Sequence, residues 1–414
     1  MTANKSTDLV LYGATGFTGK IACEYISSKG ESFFNNFKWV IAGRNSQKLE
    51  LLKKELVSKF SFLESLEIFI ADSSDSDALD VLTSKCKAVI SFAGPYSKYG
   101  SKLVESCVKN GTHYADLTGE VFWIAEMIEK FEERAKETKT KLIPSCGFDS
   151  IPSDWGAYSI AKLFRETLNE DTKYVEGVLW NAKGGFSGGT VASGFEIASP
   201  ENIQKHNLVM NDPQALNAKD KRNGLDVSDR DNVTWDSEIQ QYLAPFIMGP
   251  GNSRIVRRSN VFNNYGPDFT YNESVKSSWL GGKAIAWGLY FANWSLSSPW
   301  VRPIAQKVAP KPGEGPKQED MKNGFAHMKF FGQSSKSGKK AVCNLMIKGD
   351  PGYLITARMI VEAGVDLAKE TESMDAYGFR TPASGLSEKC FEALLQNGFE
   401  VKTSLVQEFT ESTQ

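Results

Sequence analysis

The stretch that decides the fold is Asp8-Leu9-Val10-Leu11-Tyr12-Gly13-Ala14-Thr15-Gly16-Phe17-Thr18-Gly19. Its first residues form a short apolar run that ends on glycine, which reads as a buried strand. Ile21, Ala22, Tyr25 and Ile26 then follow at helical spacing and stop at Gly30. Between the two stands the pattern G-x-x-G-x-x-G. Glycine lets the backbone turn tightly and come close to a pyrophosphate. The following helix offers free N–H groups and the positive end of its dipole. Such a glycine triplet is weak by itself, and a turn without a ligand is the plain alternative. It gains weight from the strands and helices that come after it in the chain.

Further strands are expected at Trp39–Ala42, Leu66–Ile70, Ala88–Phe92, His113–Leu117 and Lys141–Pro144. Helical patterns separate them, with Leu49, Leu52 and Leu56 on one face, then a short helix near Asp77–Leu82. Leu103, Val104, Cys107 and Val108 mark another, and Val121–Lys136 a long one. Alternating strand and helix implies a parallel sheet with right-handed crossovers. The fold class is therefore α/β: a Rossmann-type doubly wound parallel sheet, with a second α+β domain. Residues 1–152 are read as the nucleotide-binding domain and 153–350 as the second domain. Residues 351–414 are read as C-terminal helices returning to the first domain.

Composition narrows the function. The chain has 414 residues, with 48 Lys plus Arg against 50 Asp plus Glu, a net charge of −2. A generally basic nucleic-acid binder is excluded. With 41% hydrophobic and 24% charged residues the chain is globular rather than disordered. Six scattered cysteines and three scattered histidines give no ligand spacing, so no metal site is expected. The thiols read as reduced and intracellular. Met1–Thr7 is polar and carries no secretory pattern.

The turn residues Gly13, Thr15, Gly16, Phe17, Thr18 and Gly19 are the first expected cofactor contacts. NAD-binding folds place Asp or Glu after the second strand, for the ribose hydroxyl. Here Ala42-Gly43-Arg44-Asn45 has no acid. The planar fork of Arg44 suits a 2′-phosphate, so NADP(H) is expected over NAD. Asp72 is placed to meet the adenine edge, or equally to cap the next helix. The loop Ala93-Gly94-Pro95 after the fourth strand should lie beside the nicotinamide ribose. Tyr96 and Tyr99, with Lys98, are candidates for proton donation, against a packing role. Asp116–Glu120 and Cys146–Pro152 face the same crevice. Asp149 in the latter could cap the helix near Pro152 instead.

These segments resemble a known family. Gly13–Gly19, Ala42–Arg44, Gly94-Pro95-Tyr96 through Gly100, Tyr114–Glu120 and Cys146–Ser150 are similar to the saccharopine dehydrogenase-like oxidoreductases. That group includes trans-acting enoyl reductases of lipid synthesis. Pro312–Pro316 and Gly349–Tyr353 extend the resemblance over most of the chain. The resemblance implies an NADP-type Rossmann domain, a second α+β domain, and association with membranes or lipid droplets. It supplies no catalytic residue. There is no clear arginine cluster for the carboxylates of a glutamate–lysine conjugate.

The second half is less regular. Tyr174–Asn181 reads as a strand. Residues 185–189 match the hydrolase elbow G-x-S-x-G, with Asp212 and His327 following in order. No oxyanion-hole motif accompanies them, so hydrolysis is set aside. Residues 200–240 read as a polar excursion, and 245–275, including Arg254–Arg258, as strands of a mixed sheet. Four tryptophans fall between 279 and 308. Trp287, Tyr290, Phe291 and Trp294 share one helical face, flanked by Lys276, Lys283, Arg302 and Lys307. The apolar part is short of the roughly 20 residues that span a bilayer. In-plane contact with the cytosolic face of a membrane or lipid droplet is expected. A dimer interface (the chain then being a homodimer) or a core helix is the rival reading. The whole reads as an NADP(H)-dependent oxidoreductase acting on an apolar carbonyl, imine or enoyl substrate. Its rivals are a saccharopine-type amino-acid dehydrogenase and a non-enzymatic, nucleotide-binding lipid-droplet protein.

Overall fold

The computed structural model describes residues 5–184, 188–225, 227–298, 300–302, 307, 318–369 and 377–410. Six strands follow one another with helices between them: β1 (Thr7–Tyr12), β2 (Trp39–Gly43), β3 (Glu67–Ile70), β4 (Cys86–Ser91), β5 (His113–Asp116) and β6 (Lys141–Ile143). They pair in parallel in the spatial order β3-β2-β1-β4-β5-β6. This is the doubly wound arrangement, with its switch point between β1 and β4. Alternate residues feed opposite faces. Leu9, Leu11, Ile41 and Ile90 belong to one buried cluster, and Val10, Tyr12, Val40 and Val89 to the other. A strand covered on both faces needs an unbroken apolar run, and β1, β2 and β4 have one.

The second sheet is mixed. It contains β7 (Thr172–Lys183), β8 (Thr234–Asp236), β9 (Gln241–Pro245), β10 (Thr270–Ser277), β11 (Phe325–Ser334) and β12 (Lys340–Lys348). β7 and β10 run parallel, and the other pairs of this sheet are antiparallel. The chain then returns. β13 (Gly378–Phe379) adds a parallel seventh strand beside β6, and β14 (Phe399–Val406) pairs with β12 in the second sheet. The C-terminal segment thus gives strands to both sheets, where the sequence suggested helices alone.

Arg254–Arg258, expected as a strand, lies inside the helix Gly249–Asn263. The alternation that suggested a strand has another cause. Arg254, Arg257 and Arg258 are all buried, and each donates to backbone carbonyls. Arg254 bonds the Pro250 oxygen at 2.7 Å, Arg257 the oxygens of Pro213 at 3.1 Å and Val227 at 2.9 Å, and Arg258 that of Phe379 at 2.8 Å. The polar excursion around residue 212–228 is tied down in this way. Buried loop carbonyls need such partners.

The helix Thr356–Ala368 crosses the first sheet against β1, β4 and β5 and against the helix Phe17–Ser27. It packs closely: a Cβ on Gly364 would stand 2.5 Å from Cγ2 of Ile90 and 3.0 Å from Cδ1 of Leu9. Glu362 of the same helix holds Lys29 at 2.6 Å. Gly364→Ala should therefore destabilise the protein by about 1–3 kcal/mol in denaturant unfolding, despite alanine's better helix propensity. An unchanged or raised midpoint would show that the helix does not sit this close.

Candidate cofactor and substrate site

The glycine turn is held by backbone contact. Gly13 has φ +81°, and a Cβ there would lie 3.1 Å from the Ala93 nitrogen and 3.2 Å from the Phe92 carbonyl carbon. A Cβ on Gly19 would lie 2.7 Å from the Gly13 oxygen and 2.9 Å from Ala14. Only hydrogen fits at either place. Gly16 is the N-cap of the helix Phe17–Ser27, and no side chain caps it. The helix N-terminus thus faces the crevice between β1 and β4, with Thr15, Phe17 and Thr18 half-buried around it. The ring of Phe17 meets Tyr353 edge-on at 5.2 Å. Tyr353 belongs to a turn anchored by Asp350, which accepts the Tyr353 N–H at 2.8 Å. The Gly349–Tyr353 motif therefore closes over the glycine turn from far along the chain.

At the end of β2, Arg44 is exposed, and no ion pair ties it among the described residues. Asp72, after β3, accepts from the Ser74 N–H at 2.8 Å and hydroxyl at 2.7 Å. These two donors hold its carboxyl below the usual carboxylate range, with Arg44 adding to the effect. Asp72 does not cap the next helix; Asp75 does, through the Ala78 N–H at 3.0 Å. Beneath both lies Tyr12, whose hydroxyl is pushed up to about 12, first by burial and then by Asp72.

The loop after β4 carries Ala93, Gly94 and Pro95, with a cis Gly94–Pro95 bond. Tyr96 follows, buried. Its hydroxyl donates to the Ser91 oxygen at 2.9 Å and accepts from the Leu117 N–H at 3.2 Å. Burial, and then the neighbouring Asp116, push this phenol well up. The Tyr96 oxygen is thus engaged by backbone on both sides. Tyr99 is half-buried, with the Lys98 ammonium 5.4 Å from its ring centre.

Two buried carboxyls connect these loops. Glu120 accepts the N–H groups of Tyr96 at 2.7 Å and Ser97 at 2.9 Å. Asp116 Oδ1 accepts from Thr118 at 2.9 Å and Ser145 at 3.1 Å, while its Oδ2 accepts the Tyr114 hydroxyl at 2.9 Å. The ends of β4, β5 and β6 are joined through them. Burial raises both groups, Asp116 to about 7, against the opposing pull of its donors.

Beside these loops opens a cavity of about 620 Å³. Its floor is Thr118, Ser145, Asp149 and Ser150, at the ends of β5 and β6. Ile197, Met210 and Ile255 form a wall, and Phe246, Ile247 and Met248 another. The roof is the helix Trp279–Ser297, through Ala286, Leu289, Tyr290 and Ala292. Arg230, the cationic side chain among these lining residues, is committed to Ser274 at 2.8 Å and Glu176 at 3.3 Å. The outer side of the roof helix is bare: Trp287 is 71%, Phe291 63% and Trp294 51% exposed.

The structure brings the turn, Arg44, Asp72 and Ala93–Pro95 to one edge of the sheet. Of the basic residues flanking the tryptophans, Lys276 lies 4.1 Å over the Trp180 ring, and Arg302 donates to the Phe195 oxygen at 2.9 Å. Ser187 of the elbow pattern lies outside the described residues. Asp212 and His327 are apart in the fold: Asp212 pairs with Arg222, and His327 on β11 contacts Asn344 at 3.4 Å. Sequence reasoning missed the chamber itself. Its walls come from segments far apart in the chain, and no local pattern marks them.

Glycine turn, strand-end crevice and adjoining chamber are those of a doubly wound fold of the dinucleotide-binding type. Residues 9–143 match the family profile described as the saccharopine dehydrogenase NADP binding domain. A Mycobacterium tuberculosis (strain ATCC 25618 / H37Rv) protein, provisionally named a trans-acting enoyl reductase, is 32% identical over 98% of this chain and 99% of its own. The trans-acting enoyl reductase of Mycobacterium ulcerans (strain Agy99) is 29% identical, over 97% of this chain and 99% of that one. Saccharopine dehydrogenase (L-Glu forming) of Saccharomyces cerevisiae shares the fold, with a TM-score of 0.54 at 11% identity, over 96% and 99% of the two chains. The chain belongs to the saccharopine dehydrogenase-like oxidoreductases.

The raised carboxyl of Asp116 has a consequence for stability. A carboxyl that holds its proton more tightly when folded stabilises fully below its unfolded value, and the contribution is lost as pH rises towards 7. Asp149, Asp154 and Glu273 act in the same direction. Each such group contributes a slope of at most about 1.4 kcal/mol per pH unit between the two values. Asp116→Asn keeps the acceptor oxygen for Thr118 and Ser145, so unfolding free energy should fall less steeply between pH 4 and 7 than in the wild type. Parallel curves would mean that Asp116 does not titrate in this window.

Proposed function

We propose that the protein uses NADP(H) to reduce an activated double bond, a conjugated enoyl group first and a carbonyl or imine second, in a lipid-like substrate. The observation that carries this reading is the chamber: a mainly apolar space at the strand ends where a doubly wound fold presents the nicotinamide. The names of the mycobacterial relatives point the same way. Gly13, Thr15, Gly16, Phe17, Thr18 and Gly19 would hold the pyrophosphate, Arg44 the 2′-phosphate, and Ala93, Gly94 and Pro95 the nicotinamide ribose, with Asp72 beside the adenine. The tight turn that Gly13 and Gly19 permit, and the start of the helix Phe17–Ser27 that no side chain caps, suit close approach of such a group. Bound there, the cofactor supplies the hydride, and the protein supplies position and field. A saccharopine-type substrate is disfavoured, because Arg230 is already paired and no other lysine or arginine lines the chamber among the described residues.

The exposed aromatic face of the roof helix supports a second element, contact with a membrane or lipid-droplet surface. The same helix lines the chamber on its inner side, so an apolar substrate would pass from lipid to chamber along it. Among the described residues no helix is long and apolar enough to cross a membrane. Contact would therefore be in-plane.

Two measurements test these parts separately. A charge-assisted bond to phosphate contributes about 1.5–3 kcal/mol, so Arg44→Ala should weaken NADPH binding roughly 10- to 100-fold and leave NADH nearly unchanged. An unaltered NADPH/NADH ratio would remove Arg44 from the site. In liposome flotation, the triple variant Trp287→Ser, Phe291→Ser and Trp294→Ser should stay at the bottom of the gradient while the wild type floats. Equal flotation, or none by the wild type, contradicts surface contact.

A further inference from the structure

Asp149 stands in the loop after β6, on the chamber floor beside Ser150 and Thr118. Its position before a helix suggests a cap, but it does not act as one. The N-cap of the helix Ile151–Leu168 is Ser150, and no side chain caps that helix. No hydrogen bond or ion pair engages the Asp149 carboxyl among the described residues. It is half-buried and lines the chamber.

The other acids nearby are all committed or remote. Asp116 satisfies three donors, and Glu120 takes the N–H groups of Tyr96 and Ser97 and, at 3.4 Å, the Ser193 hydroxyl. Asp229 pairs with Arg254 at 2.7 Å. Asp231 is exposed at the rim. The Tyr96 hydroxyl is engaged by backbone on both sides. His206 also lines the chamber, on the helix Ile203–Met210, where its ring meets Phe122 edge-on at 6.4 Å. It lies with the wall, whereas Asp149 lies at the strand ends, the side on which the nicotinamide belongs.

We propose that Asp149 is the proton donor of the reduction, its carboxyl touching the conjugated double bond of an enoyl substrate. This rests on the chamber being the site of that reduction. Reduction of a C=C bond conjugated to a carbonyl adds a hydride at the β carbon and a proton at the α carbon. The hydride would come from NADPH held by the Gly13–Gly19 turn, Arg44 and Ala93–Pro95, which would be oxidised to NADP⁺. The O–H bond of the Asp149 carboxyl breaks, its electron pair stays on oxygen, and the proton goes to the α carbon. Water reaching the chamber returns a proton to the carboxylate.

Burial raises this carboxyl to about 6, so it carries its proton at mildly acid pH. The groups around the loops it adjoins are Tyr96 from the β4 loop and Asp116 and Glu120 from the β5 loop. Across the chamber stand His206, whose proton affinity burial and then Arg254 lower, and the paired Arg230. As pH rises through about 6 the donor form is lost, and reduction should slow accordingly.

The test uses the NADPH-loaded protein and two probes. N,N-Dimethyldodecanamide offers an apolar chain and an unreactive carbonyl with no N–H to donate; a trans-2-dodecenoyl thioester offers the reacting bond. For the wild type, binding of this amide should weaken roughly tenfold between pH 5 and 8, as the donating acid becomes a carboxylate that cannot donate to its carbonyl. Asp149→Asn and Asp149→Ser should bind it with no such pH dependence. Both should oxidise NADPH on the thioester at least about 100-fold more slowly, with NADPH affinity unchanged. If the variants keep the wild-type pH profile and rate, Asp149 is not the donor and the chamber reading stands. If His206→Gln alone removes the pH dependence, the donor is His206. If the wild type neither binds the amide nor consumes NADPH with the thioester, the chamber reading itself fails, and the assignment of Asp149 with it.

Discussion

Gly13 sits where any side chain would run into the backbone of Ala93, and Gly19 where one would run into Gly13. The end of β1, the helix after it and the end of β4 are therefore locked together by backbone contact. Everything at the site is placed relative to that contact. The helix start is left without a side-chain cap, so its N–H groups and dipole face the crevice. The β4 loop lies over the turn, and Glu120 and Asp116 carry the arrangement on to β5 and β6 by accepting backbone N–H groups. Burying two carboxyls is costly, and their raised proton affinity records that cost.

The second half completes what the first half leaves open. The turn at Asp350–Tyr353 meets Phe17 edge-on through Tyr353, and the helix after it crosses the sheet at the close approach of Gly364 to Ile90. On the other side of the crevice the roof helix has two faces with different surroundings. Ala286, Leu289 and Ala292 are small or aliphatic and bound a space. Trp287, Phe291 and Trp294 face outward and bury little against the protein. Under the proposed function, a helix apolar on both sides, with space on one and solvent on the other, would pass an apolar molecule between them.

Much of this was legible in the sequence where the physics is local. Six parallel strands announce themselves because each is a short apolar run between helical patterns, and the glycine turn because only glycine fits it. β13 is two residues long and exists through its pairing with β6, so no propensity marks it. β14 does alternate, with Phe399, Val401, Thr403 and Leu405 in step, and that signal was there to be read. Arg254–Arg258 misled because charge usually marks the surface; here the guanidinium groups serve buried carbonyls. The chamber is a product of tertiary structure. Asp149 could be seen near the crevice, but that its carboxyl would be left without a partner emerged only from Ser150 taking the cap position.

The central claim is that the dinucleotide lies along the ends of β1, β2 and β4, at the mouth of the chamber. Amide hydrogen exchange of the intact protein, with and without NADPH, measures it most directly. Slowed exchange is expected in residues 13–19 and 92–96, with residues 44–46 affected alongside, and no comparable change in the far strands β12 and β14. Unchanged exchange in residues 13–19 under saturating NADPH, or protection centred on the second sheet, would contradict it.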